Sequence, residues 1–246
     1  MAERRFVVEG PQAVREALPT LVELYADPDG QERFADLLAA APCPVTPVSR
    51  DVLAAMAETV TPQGVVGVAP LLDVPLEQAL TGSPRLVAVL VATQDPGNAG
   101  TVIRTADAAG ADAVVLTDGS TDPHGGKCVR ATAGSLWHLP VAYGPSLEQT
   151  VTALRAAGLQ ILATTGSGQD DLDDLLDAGA LTAPTAWLLG NEGSGLGDEA
   201  LALADRTVRI PLRGRAESLN LATAAAVCLY ASAHAQRRPG PGAADG

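Results

Sequence analysis

LVAVLVATQDPGNAGTVIRTADAAGADAVVL, residues 86–116, holds the pattern that decides the fold. An aliphatic run over 86–92 breaks into a polar segment with Pro96 and Gly97, helical spacing follows over 98–109, and a second aliphatic run, AVVL, fills 113–116. Strands that are apolar without alternation are buried on both faces, and a strand, a helix and a second strand in that order build a parallel sheet. The pattern then repeats. Further strands are expected at 139–143, 159–165, 186–190 and 206–211, with helices near 126–134, 147–157, 170–177 and 198–204. The chain is therefore expected to be α/β, with a mostly parallel sheet covered by helices. A last helix over 219–236 is apolar nearly all round, with Leu221, Val227, Cys228, Leu229 and Tyr230 spread about its circumference. Such a helix needs burial on more than one side, which predicts a homodimer.

Residues 1–72 read as a separate small α/β module. Val14, Ala17, Leu18 and Leu21 have helical spacing, as do the stretches 33–40 and 51–58, and QGVVGVAP at 63–70 reads as a strand. Pro, Gly and charge mix over 73–84, predicting a linker, after which residues 85–236 form the second domain. The tail RRPGPGAADG at 237–246 is expected to be disordered.

At 246 residues and 47% hydrophobic composition, the chain can bury one large core or two modest ones. No apolar run approaches the ~20 residues of a membrane helix and MAERRFVVEG is not a signal peptide, so no membrane association and a cytoplasmic location are expected. Cys43, Cys128 and Cys228 have neither metal nor disulfide spacing and are expected to pack as small buried thiols. The acidic stretch QDDLDDLLD at 169–177 reads as a solvated helix, not a metal site. A net charge of −13 opposes indiscriminate binding to nucleic acid. Locally the balance differs: Arg206, Arg209, Arg213 and Arg215 lie in a stretch without acids, a candidate anion site.

Three short segments carry chemistry, each beyond a predicted strand, where sites are built in open α/β sheets. In DPGNAGTVIRTA (95–106), Asn98 is expected to cap a helix, Gly100 to admit a neighbouring backbone, and Arg104 to lie under two turns further on. LLGNEGSGLG (188–197) is Gly-rich, but its spacing fits neither a dinucleotide fingerprint nor a phosphate-binding P-loop; it can approach a ligand closely and projects Glu192. In IPLRGRAESLNLATA (210–224), Ser218 and Asn220 stand where the Arg-rich loop gives way to the last helix. Taken singly, each admits an ordinary structural use as a cap or a surface loop.

Together, N-x-G-x-x-x-R-T-A at 98–106, L-G-N-E-G-x-G-L at 189–196 and I-P-x-x-G-x-x-x-S-L-N-x-A at 210–222 resemble the signature motifs of the SpoU-type RNA 2'-O-ribose methyltransferases of the SPOUT superfamily. VVEGPQAVREAL and TPQGVVGVA in the first module resemble that family's substrate-binding extension, so the likeness spans nearly the whole chain; Leu212 departs from it where the family commonly has Met. The resemblance implies a deep trefoil knot near the carboxyl end, a homodimer, and S-adenosylmethionine held by Thr164, Thr165, Gly166, Gly190, Asn191, Ile210, Leu212 and Leu219. It implies Arg104 as the central catalytic residue, with Asn98, Glu192, Ser218 and Asn220 shaping the site, and Arg130, Arg213 and Arg215 contacting RNA phosphate. No metal is expected, because a sulfonium methyl is already activated. Arg104 as a general base conflicts with a guanidinium pKa above ~12, which favours a charged group stabilising an alkoxide. The implied substrate is structured RNA, most simply ribosomal RNA; transfer RNA, or a non-catalytic assembly role, are the alternatives.

Overall fold

The computed structural model describes residues 4–191, 193 and 195–236. Its larger sheet has seven strands: β5 (Leu86–Leu90), β6 (Ala113–Leu116), β7 (Val141–Tyr143), β8 (Gln160–Thr164), β9 (Asp170–Asp171), β10 (Thr185–Leu189) and β11 (Arg206–Arg209). Their spatial order is β7-β6-β5-β10-β8-β11-β9 and every pairing is parallel. All residues of β5, β6 and β10 are buried, and apart from Thr185 at the head of β10 all are apolar. Alternation within the strands divides the core: Leu86, Ala88 and Leu90 face one layer, Val87 and Val89 the other.

Helices cover both layers. On the first lie α6 (Pro96–Ala108), α7 (Gly126–Thr132) and α11 (Leu221–Gln236); on the second lie α5 (Leu76–Ala79), α8 (Leu147–Ala156) and α10 (Asp198–Leu203). Capping residues set several starts: Ser146 and Gln149 make reciprocal bonds at α8, and Asp171 accepts from Asp173 N ahead of α9 (Leu172–Asp177). α6 and α7 pack closely because Gly100 has no side chain; a Cβ there would overlap the Cys128 carbonyl and come within 2.6 Å of the Ala131 methyl. This matches the role expected of Gly100. Within residues 73–84, Leu76, Ala79 and Leu80 are buried, so a short apolar helix of this Pro- and Gly-containing stretch packs into the second layer.

α11 is buried along Leu221, Ala225, Cys228, Leu229 and Ser232, where Trp187 Nε1 donates to Ser232 Oγ at 2.9 Å. Much of its apolar surface is thus used within the chain. What remains outside is a stripe of Thr223, Val227, Tyr230 and His234. Cys128 and Cys228 are buried as expected, and burial pushes the Cys128 thiol up to about 12, whereas Cys43 is only partly covered.

The amino-terminal sheet contains β1 (Arg5–Glu9), β2 (Glu23–Ala26), β3 (Val45–Pro47) and β4 (Val65–Pro70) in the order β1-β4-β2-β3. Helices α1 (Pro11–Ala17), α2 (Pro28–Arg33), α3 (Ala35–Ala39) and α4 (Arg50–Met56) connect them. Only β4 was expected as a strand. β2 and β3 are short and mixed in polarity, and their pairing comes from partners distant in sequence.

This smaller sheet is seated on α7 and the turn that follows it. Phe6 packs between His124 and Trp137, with ring centroids 4.9 and 5.9 Å away, and Trp137 Nε1 donates to Thr20 Oγ1 at 3.0 Å. His138 bridges Asp107 on α6 (2.7 Å) and Glu16 on α1 (3.3 Å), and the bond to Asp107, more than that to Glu16, raises its pKa. Leu72 N donates to Nε2 of the buried His124 at 2.9 Å, which fixes a neutral ring with its proton on Nδ1 beside Asp122. Burial depresses the His124 pKa against the opposing pull of Asp122 and Asp73.

Two outcomes follow for stability. Gly100→Ala should cost about 1–3 kcal/mol in denaturant unfolding, since neither helix can retreat without strain. Because the folded His124 pKa lies below the unfolded value of ~6.5, its contribution is present above that pH and is lost as pH falls through the folded value. His138, with its raised pKa, acts in the opposite sense. Melting temperatures at pH 8 and pH 5.5 should therefore fall further for wild type than for His124→Gln, whose amide oxygen can still accept from Leu72; equal falls would contradict the assigned ring state.

Candidate active site

The loops leaving β8, β10 and β11 converge at the carboxyl edge of the large sheet. Thr164 ends β8 and donates from Oγ1 to Leu188 O at 3.1 Å, while Thr165 N donates to Val208 O at 2.9 Å. After β10 the chain turns back on itself: Asn191 and Gly195 exchange two backbone hydrogen bonds of 3.2 and 3.0 Å, and Asn191 Oδ1 accepts from Gly193 N at 2.7 Å. Gly190 lies so near this return that a Cβ would overlap the Gly195 carbonyl carbon, the close approach for which a Gly-rich segment is suited. Glu192, expected to project from this turn, lies outside the described residues.

Together with the segment after β11, these loops enclose a cavity of about 550 Å³. Thr164, Thr165, Gly166, Gly190, Asn191, Ile210, Leu212, Leu219, Ser218 and Asn220 all line it, so all ten of these residues singled out from the sequence are brought together. The lining also includes Leu196, Val208 and Glu217, which the sequence reading passed over. Leu196 closes one of the quoted motifs and could have been found there; Val208 is an ordinary strand residue whose place follows from the sheet order. The cavity is of small-molecule size, with aliphatic surface from Leu196, Val208, Ile210 and Leu212 and polar groups from threonine, asparagine and serine.

Asn220 joins this cavity to α6. Its Oδ1 accepts from Ala222 N (2.9 Å) and Thr223 N (3.3 Å), capping α11, so its amide nitrogen is left to donate to Asn98 Oδ1 at 3.0 Å. Asn98 is not the cap of its own helix. Asp95 is, accepting from Asn98 N at 2.9 Å, because Pro96 starts the helix one turn earlier than the aliphatic spacing suggests. Asp95 also accepts from Lys127 Nζ at 2.7 Å, and this bond, followed by that from Asn98 N, holds its carboxyl below the usual range. Arg104 stands further along α6, exposed, its side chain forming no hydrogen bond or ion pair with another described residue.

The other arginines differ among themselves. Arg130 lies 3.4 Å from Glu9 and 3.7 Å from Glu58, across the seat of the smaller sheet, with the Glu9 side chain only 5% exposed. Arg206, Arg209 and Arg213 are matched in turn by Asp170, Asp171 and Asp173, at 3.4, 3.3 and 2.7 Å. The acid-free stretch in the sequence is thus neutralised in space by the acidic stretch that precedes and begins α9. Arg215 is exposed and, among the described residues, without such a partner. No group of three or more His, Cys, Asp or Glu side chains among the described residues could hold a metal ion, and no helix among them is long and apolar enough to cross a membrane.

Residues 85–230 match the SpoU rRNA Methylase family, and residues 7–73 match the family described as RNA 2'-O ribose methyltransferase substrate binding. The chain is 38% identical over 227 residues to the Bacillus subtilis protein named 23S rRNA (guanosine(2553)-2'-O)-methyltransferase RlmP, covering 92% of this chain and 87% of that one. An AdoMet-bound rRNA methyltransferase from Sinorhizobium meliloti superposes with a TM-score of 0.78 at 34% identity, over 94% of this chain and 87% of the other. The SpoU methyltransferase AviRb from Streptomyces viridochromogenes superposes with a TM-score of 0.82 at 30% identity, over 95% and 90% of the two chains. With two of the motif segments lining one cavity, the third joined to it through Asn98 and Asn220, and both halves of the chain matched, this protein belongs to the SpoU rRNA methylase family.

Proposed function

We propose that the protein transfers the methyl group of S-adenosylmethionine to a ribose 2'-hydroxyl of ribosomal RNA. One observation carries this reading: Asn220 lines the cofactor-sized cavity and at the same time binds Asn98 on the helix that presents Arg104, so a donor site and an RNA-facing cation share one rigid frame. The relative from Bacillus subtilis is named for 2'-O-methylation of 23S rRNA, and the Sinorhizobium meliloti neighbour is named as AdoMet-bound.

The residues present fit the cofactor. Gly190 and Gly166 leave the backbone accessible, Ile210, Leu212 and Leu219 supply apolar surface for an adenine ring, and Thr164, Thr165, Asn191 and Ser218 supply polar atoms. When bound, S-adenosylmethionine supplies a methyl already activated on a sulfonium. The chain's task is then to align the 2'-hydroxyl in line with it, so that the oxygen–carbon bond would form as the carbon–sulfur bond breaks, and to stabilise charge as the hydroxyl proton passes to solvent water. The Arg104 guanidinium holds the neighbouring phosphate and stabilises the developing alkoxide, while Glu192 and Ser218 shape the hydroxyl's approach. RNA phosphate is further met by Arg215, by Arg213 once it exchanges its surface carboxylate partner, and by Arg130 at the greater cost of leaving the buried Glu9.

The same reading assigns residues 1–72 as the RNA-binding domain, 73–84 as its joint and 85–236 as a knotted catalytic domain in the cytoplasm. Support for the knot is the sheet order, in which β10 enters between β5 and β8 while β11 returns beyond β8. Support for a homodimer is the outward stripe of α11, where Val227 and Tyr230 are 38% and 52% exposed.

Arg104→Ala should lower methyl transfer from labelled S-adenosylmethionine to ribosomal RNA by about a hundredfold or more, with cofactor affinity by calorimetry within a few fold. Lost cofactor binding with normal turnover of the remaining complex would sink the assignment, and transfer only to tRNA would redirect the substrate. Val227→Asp should convert a dimer into an inactive monomer in sedimentation at micromolar concentration. Leu229 does not serve this purpose, being buried within its own chain. A fully active wild-type monomer would refute the dimer.

A further inference from the structure

Arg209 stands in the basic stretch whose plainest reading is an anion site, yet its guanidinium is occupied by backbone. Nη1 donates to the carbonyl oxygens of Gly168 (3.0 Å) and Gln169 (3.3 Å), and Nη2 lies 3.3 Å from Asp171 Oδ2. The loop that it grips is held to β11 at two further points, Thr165 N to Val208 O (2.9 Å) and Gln169 N to Thr207 Oγ1 (3.2 Å). Gly168 presses against the same strand so closely that a Cβ would overlap the backbone of Val208 and Arg209. Thr165 and Gly166, on one side of this clasp, line the 550 Å³ cavity; Ile210, the residue after Arg209, lines it from the other side.

We infer that Arg209 is a positioning residue that fixes the spacing of the two loops walling the cofactor cavity, and so sets cofactor affinity, instead of contacting RNA phosphate. The inference rests on the assignment of that cavity to S-adenosylmethionine. A planar fork can serve two carbonyls and a carboxylate from one fixed geometry, which a lysine ammonium on a flexible stem cannot reproduce. Asp171 gains a double use: the carboxylate that pairs with Arg209 also accepts from Asp173 N at 3.0 Å at the start of α9, so the clasp is anchored to a helix.

The test is made on the full chain with three variants, Arg209→Ala, Arg209→Lys and Arg209→Gln. Calorimetry with S-adenosylmethionine, methyl transfer at varied cofactor and RNA binding at several salt concentrations are measured for each. Arg209→Ala should raise Kd and KM for the cofactor about tenfold, leave kcat at saturating cofactor within about threefold, and leave RNA affinity and its salt dependence unchanged. Arg209→Lys should fall between the two. A lower melting temperature with cofactor Kd and KM within about twofold of wild type would reduce Arg209 to a stability role and overturn the inference. So would weaker RNA binding with a shallower salt dependence and unchanged cofactor affinity, the signature of a phosphate contact. If Arg209→Ala does not fold, Arg209→Gln, which keeps a planar donor, decides by the same criteria. Wild-type protein that binds no S-adenosylmethionine overturns the proposed function itself, an outcome distinct from variants that bind as well as wild type.

Discussion

A parallel sheet buried on both faces has no room for polar side chains along its strands. β5, β6 and β10 expose no residue, so the polar and glycine-rich segments that follow strands are confined to the rim. There the backbone groups that leave the sheet find partners in one another, as in the two bonds between Asn191 and Gly195 and the one from Thr165 N to Val208 O. The site is a consequence of this requirement. Loops that satisfy each other's hydrogen bonds around strand ends leave a concave space lined by backbone, and in this chain that space is the cavity walled by the loops after β8, β10 and β11.

Asn220 shows how tightly site and fold are joined. Committing its oxygen to the first turn of α11 leaves its nitrogen one direction, toward Asn98. The start of α6 is set independently by Asp95 and Lys127, the single lysine of the chain. Arg104 is carried by a helix fixed at its beginning from two sides, and packed along its length on α7 through Gly100.

The charge of the molecule is organised in pairs. An acidic chain that binds RNA must either present free cations or exchange carboxylates for phosphates, and the arginines differ in how readily they can. The Arg213 pair with Asp173 is at the surface, with the Arg213 side chain 82% exposed, and surface pairs of this kind contribute only ~0–1 kcal/mol, so an RNA phosphate can replace the acid at little cost. Arg130 is different. Its partner Glu9 is buried and also accepts from Glu58 N, Thr59 N and the Thr59 hydroxyl, so separating Arg130 would leave part of the joint between the two sheets uncompensated.

The sequence by itself determined the alternation of strand and helix from residue 85 onward, because short Val- and Leu-rich runs such as LVAVL, bounded by Pro- and Gly-containing segments, suit strands covered on both faces. Polar and Gly-rich segments beyond strand ends marked where a site could be built, and the residues expected to hold the cofactor were named through the resemblance of those segments to the SpoU family. The sequence could not disclose β2 and β3, short strands whose pairing is made across long stretches of chain, nor that the apolar stretch near Leu76 is a packed helix within the joint. Asp95 as the cap of α6 was hidden for a related reason: Pro96 moved the helix start upstream of the aliphatic pattern. Only the tertiary structure decided which arginines are committed, because ion pairs such as Arg209 with Asp171 join residues far apart in sequence. Local pattern records what a residue can bury or cap, whereas the partner of a charged group depends on which strands become neighbours, and that is settled by the packing of the whole sheet.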